Sequence, residues 1–147
     1  MNIVKTAYAP RRLDLSSEPP KVGEAFPALV PQVDADGNET SGIRLPELRV
    51  PLATYMGWNL RSPSVGSPTE QFPLIGSMVA FPKTRAEREK SGDPRLSIEE
   101  RYQSQQEYLA KIEAAARDLA KQRFLLEADI PQVVARAKQR WEQLAAH

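Results

Sequence analysis

The chain has 147 residues, with 20 basic and 19 acidic side chains, one histidine and no cysteine. That length fits one domain and leaves no room for a second independent core. A net charge of +1 gathers neither phosphates nor anionic lipid, and the missing cysteines exclude disulfides, thiolate nucleophiles and cysteine-ligated zinc or iron–sulfur sites.

The opening MNIVKTAYAP carries Lys5 and lacks the apolar run of about 7 to 15 residues that a signal peptide needs. No apolar span of about 18 residues follows it. Neither membrane nor nucleic acid is therefore expected as a partner, and the cytoplasm is the default location. Eleven of the thirteen prolines and six of the seven glycines lie within residues 1–82. Proline fixes φ and removes a backbone donor, so residues 1–82 are predicted to be irregular, with short edge-type strands. Residues 83–147 are predicted to be helical.

Within the first segment, Ala28-Leu29-Val30 and Ile43-Arg44-Leu45 flank Asp34-Ala35-Asp36-Gly37-Asn38. The pattern predicts a loose hairpin in which Gly37 or Asn38 takes a positive φ. Asp34, Asp36 and Asn38 imitate the first ligands of a calcium loop. The glycine then needed at the sixth position is Glu39, and the glutamate needed at the twelfth is Leu45. A plain turn is the better reading, and no metal site or cofactor is expected.

Helix starts are written at Thr84-x-x-Glu87, Ser97-x-x-Glu100 and Ser104-x-x-Glu107, each matching a capping box. They predict helices over about 84–90, 98–103 and 105–122. In the longest, Tyr108, Leu109, Ile112, Ala115, Ala116 and Leu119 share one face. Asp129 is predicted to cap a last helix with Pro131 in its first turn and a stripe of Val133, Val134, Ala137, Trp141 and Leu144. The two stripes are expected to pack as an antiparallel pair. Arg85, Arg88, Lys111, Lys121, Arg136, Lys138 and Arg140, interleaved with acids, read as a solvated, salt-bridged surface.

Catalytic residues are hard to find. The one histidine, His147, is the last residue, where nothing rigid fixes the ring. Serine acyl transfer needs a base oriented by a third group, and no G-x-S-x-G elbow occurs. Gly66-Ser67 and Gly76-Ser77 are Gly-Ser pairs suited to loops or strand ends. The pair Glu99-Glu100 diverges by about 100° on a helix and does not converge on one substrate atom.

One stretch exceeds the needs of a scaffold: GIRLPELRVPLATYMGWNLRSP, residues 42–63. Arg44, Thr54, Tyr55, Trp58, Asn59 and Arg61 lie where Pro46, Pro51, Gly57 and Pro63 hold the backbone on a non-helical path. They are candidates for lining a substrate cleft or for packing against another body.

The segments LVPQVDADGNE (29–39), GIRLPELRVPLATYMGWNLR (42–61), FPKTRAER (81–88) and SGDPRLSIEERY (91–102) resemble the C-terminal region of a large bacterial family, the alpha/beta hydrolase domain-containing proteins. The likeness runs from about Pro19 to the end. It implies that a complete protein would use a serine nucleophile on an ester or similar acyl compound, with serine and histidine upstream of these residues. No catalytic residue carries over onto this chain. The resulting expectation is the C-terminal part of an α/β-hydrolase-like protein: mostly α, about four helices plus a short hairpin, with residues 1–82 and 83–147 forming one partial domain. Its partner is expected to be a missing N-terminal catalytic domain. The alternative is a free-standing binding or oligomerisation module whose partner is itself.

Overall fold

A computed structural model describes residues 3–5, 11–25, 29–66, 70–72 and 74–145. His147, Ala28 and Ser67 lie outside the described residues. In chain order the elements are β1 Ile3–Lys5, β2 Arg11–Asp14, β3 Lys21–Ala25, β4 Leu29–Pro31, α1 Pro46–Arg49, β5 Ala53–Met56, β6 Asn59–Leu60, β7 Gln71–Phe72, β8 Ser77–Ala80, α2 Arg85–Ser91, α3 Ile98–Arg101, α4 Gln105–Lys121 and α5 Ile130–Leu144. Single 3₁₀ turns sit at Pro63–Val65 and Glu127–Asp129. The protein is mostly α, as its residues imply.

Among the described residues the proline-rich part forms four separate two-stranded antiparallel ribbons, β1 with β4, β2 with β3, β5 with β8 and β6 with β7. The Asp34–Asn38 turn is present, and it is Gly37 that takes the positive φ, 79°. A Cβ on Gly37 would also stand 2.9 Å from Thr54 Cγ2, so the close approach of turn to strand needs glycine as well. The flanks differ from expectation. One bridge joins Val33 to Glu39, while Leu29–Pro31 pairs with Ile3–Lys5 and Ile43–Leu45 runs into α1. Pro31 offers no ladder donor, so the hairpin ends with the Thr40 amide on the Gln32 carbonyl, 3.0 Å away.

The short helix α1 lies in a segment expected to be non-helical. Pro46 sits in its first turn, where a missing N–H leaves no extra orphan and φ is already helical. The Leu48 and Arg49 amides close the turn onto the Leu45 carbonyl.

The four later helices start and stop nearly where the caps place them. Ser97 and Glu100 form a reciprocal capping box. At Thr84 and Ser104 the hydroxyl caps as expected, but Glu87 and Glu107 accept from the amides one residue earlier, Lys83 and Gln103, both at 2.8 Å. Asp129 makes no side-chain cap. The preceding 3₁₀ turn already holds it in a helical conformation, so its carboxylate does not face the first amides of α5.

Helices α4 and α5 pack antiparallel. Tyr108, near the start of α4, meets Trp141, near the end of α5, at 5.1 Å between ring centres. The core joins Tyr102, Tyr108, Ile112 and Ala137 to Ile98 of α3 and to Leu52 and Phe81 from the ribbon side. Val133, Val134, Trp141 and Leu144 are only partly buried against it. Each large apolar side chain fully removed from water contributes roughly 1.5–3 kcal/mol, so this cluster is the chief reason the chain holds one shape.

Candidate functional site

The junction of turn, ribbon and helices is built from Asn38. Its side chain is fully buried, donating to the Ala53 carbonyl at 3.0 Å and accepting from the Tyr55 amide at 2.8 Å. The amide thus acts as a one-residue strand neighbour on the edge of β5 that faces away from β8. Asp34 Oδ1 accepts the amides of Asp36 and Asn38, both at 3.0 Å, and Oδ2 accepts from Arg44 at 2.9 Å. Asp36 forms a two-pronged pair with Arg101, one contact at 2.8 Å and a shorter one to Nη2. All three oxygen-bearing side chains of the supposed calcium run therefore hold the protein's own backbone and arginines. Among the described residues no group of three or more histidine, aspartate or glutamate side chains converges as a metal would require.

A second pair extends the junction. Arg95 grips Asp93 through Nε (2.9 Å) and Nη2 (2.6 Å), while Nη1 reaches Thr54 Oγ1 (2.9 Å) and the Val79 carbonyl (3.0 Å). Thr54 in turn donates to the Asp36 carbonyl. The Arg101 guanidinium covers the Phe81 ring at 4.2 Å, a cation–π contact over a buried face. Glu99 and Glu100 diverge as expected: Glu99 accepts from the Arg85 amide at 2.9 Å, and Glu100 serves the cap.

Two carboxyls here titrate abnormally low. The Arg95 hydrogen bond is the largest cause holding Asp93 down at about 2, against an ordinary 3.8. Bonds from the Ser97 amide and hydroxyl hold Glu100 at about 2, against 4.5. A folded-state pKa below the unfolded value contributes stability that is complete above the unfolded pKa and lost as pH falls through the folded one. Thermal stability is therefore expected to stay level down to about pH 4.5 and to decline toward pH 2. Melts of the parent and an Asp93→Asn, Glu100→Gln variant across that window check this, the variant showing the shallower decline.

The six candidates do not converge. Arg44 is tied to Asp34 and to the Leu48 carbonyl at 2.6 Å, with a buried Nε left without a partner. Thr54 belongs to the ion-pair junction. Tyr55 is half-buried, and its buried hydroxyl makes no hydrogen bond of normal geometry among the described residues. Trp58, Asn59 and Arg61 lie apart from these, exposed in and around β6, where Arg61 pairs with Glu70 at 2.9 Å and the Trp58 carbonyl accepts from Ser77 at 2.8 Å. Three of the six are thus embedded in the scaffold and three stand on a surface.

Hollows lie elsewhere. A groove of about 540 Å³ between α4 and α5 has an apolar floor of Leu109, Ile130, Pro131 and Val134 and a charged rim that includes Glu113 and Lys138. A basin of about 580 Å³ beside Tyr102 holds Arg44, Arg49, Arg101 and Lys111, each already paired to a carboxylate. A smaller cavity of about 150 Å³ is lined by Glu47, Tyr108, Ile112, Val133, Arg136, Ala137 and Arg140. Tyr55 lies beside one of these, Arg140: its ring centre is 5.6 Å from the guanidinium, and contact with its hydroxyl, opposed by burial, raises the Arg140 pKa. Arg136 and Arg140, expected among solvated ion pairs, have no carboxylate partner among the described residues. The signal was in the spacing: 133, 136, 137 and 140 share one helix face, so both arginines interrupt an apolar stripe.

The sequence profile described as "Alpha/beta hydrolase domain" matches residues 5–135. No curated protein and no solved structure matches the chain.

Proposed function

The chain belongs to the alpha/beta hydrolase domain family, and from that membership we propose that it is the C-terminal part of a larger serine ester or acyl hydrolase, inert alone and packed against a catalytic body. The observation carrying this reading is the exposure of Trp58, Leu60, Leu74, Ile75, Met78 and Val79 in and between the strands β5 to β8. Exposed large apolar side chains in such number favour a contact surface. Leu13, Leu15 and Val22, around the β2–β3 ribbon, are exposed as well. Trp58, Asn59 and Arg61 then belong to the contact surface, while Thr54 and Tyr55 anchor β5 beside it and Arg44 holds the Asp34 turn.

The test uses the isolated chain. It should bind an apolar fluorescent dye while still unfolding cooperatively, and Leu60→Lys with Val79→Lys should lower the dye signal. A parent chain that binds no dye overturns the reading. A concentration-dependent dimer dissolved by the same double substitution decides for the free-standing oligomerisation module instead.

A further inference from the structure

We propose that the cavity between α1, α4 and α5 is a binding site for a small monovalent carboxylate, gripped by Arg136 and Arg140. The proposal stands independently of the hydrolase reading. Its first support is charge. Arg136 and Arg140 line the cavity, and Glu47 is the one acid among its lining residues. Neither arginine pairs with a carboxylate among the described residues, whereas Arg44, Arg49, Arg61, Arg85, Arg88 and Arg101 all do. One monovalent anion brings the cavity to neutrality, and a dianion overshoots it.

The second support is unsatisfied donor capacity. The Arg140 guanidinium has the Tyr55 ring and hydroxyl beside it and no carboxylate partner among the described residues, which leaves N–H donors open. The third is shape. Tyr108 and Ile112 are each 1% exposed and Ala137 8%, so part of the lining is an apolar floor, with Glu47, Arg136 and Arg140 supplying the charged part. A volume of about 150 Å³ lies below the range of drug-sized ligand sites and suits a group of a few heavy atoms. Guanidinium is the group that matches a planar carboxylate with two parallel hydrogen bonds. Arg136, the more exposed of the two, meets the anion first, and the half-buried Arg140 holds it over the apolar floor.

The full chain is titrated with sodium acetate, sodium phosphate and sodium chloride at constant ionic strength and pH 7.5, following arginine Nε–H and residue 133–140 amide resonances. Acetate should give saturable shifts with a dissociation constant in the millimolar range. Arg140→Gln and Arg136→Gln should each weaken it about tenfold or more, the size of a lost charge-assisted bond. Arg136 is exposed and its replacement leaves the core intact, so that variant stays informative even where Arg140→Gln misfolds. Linear shifts equal to those from chloride, or saturable acetate shifts undiminished in Arg136→Gln, overturn the site. Tighter binding of phosphate than of acetate overturns the carboxylate assignment.

Discussion

Replacing Tyr108 by alanine should lower unfolding free energy by about 4 kcal/mol, the range of buried aromatic truncations. The ring is 1% exposed and meets Tyr102 edge-on at 5.2 Å and Trp141 at 5.1 Å. Ring pairs add about 0.5–1.5 kcal/mol beyond area burial, and both are lost together. Burial also pushes the phenol pKa up. The hydroxyl makes no hydrogen bond among the described residues, so Tyr108→Phe should cost less than about 1 kcal/mol. Urea denaturation of both variants checks the contrast. A Tyr108→Ala chain nearly as stable as the parent would mean that α4 and α5 do not share the aromatic seam.

The second large effect concerns the link between the irregular half and the helices. Arg101→Met should cost about 3 kcal/mol, because Asp36 remains largely withdrawn from water without its counter-charge. The pair's side chains are 14% and 18% exposed, which places the expected loss at the lower end of the range for buried ion pairs. Arg101 also covers Phe81 and holds the Leu96 carbonyl at 2.9 Å, so methionine keeps the packing and loses only the polar contacts. Adding Asp36→Asn should recover part of the loss, since the stranded charge disappears. Chemical denaturation of the two single variants and the double variant completes the cycle, and strictly additive losses would show that the pair does not couple the two halves.

What could be read from the residues follows the range of the forces involved. Helix starts at Thr84, Ser97 and Ser104 depend on bonds spanning three or four residues, and they stand where the sequence places them. The α4–α5 pairing follows from two stripes of matching period. Strand partners were not legible in the same way, since Leu29–Pro31 is chosen by Ile3–Lys5, far away in the chain. Asp36 looked like a turn residue because its partner lies 65 positions on. Asn38 gave no sign of being fully buried, because its two partners belong to a strand more than a dozen residues later. Among the six candidates, sequence could mark a constrained, polar, aromatic segment, but burial of Thr54 and exposure of Trp58 depend on how β5 and β6 pair. The Arg136 and Arg140 positions were readable from helical spacing, and were obscured by the acids around them.

Purified chain assayed on short p-nitrophenyl esters, with and without a serine-directed phosphonylating reagent, tests the functional reading most directly. Hydrolysis at the buffer rate, unchanged by the reagent, is the expected result. Turnover well above that rate and abolished by the reagent would place a working serine and its base within these 147 residues and contradict it.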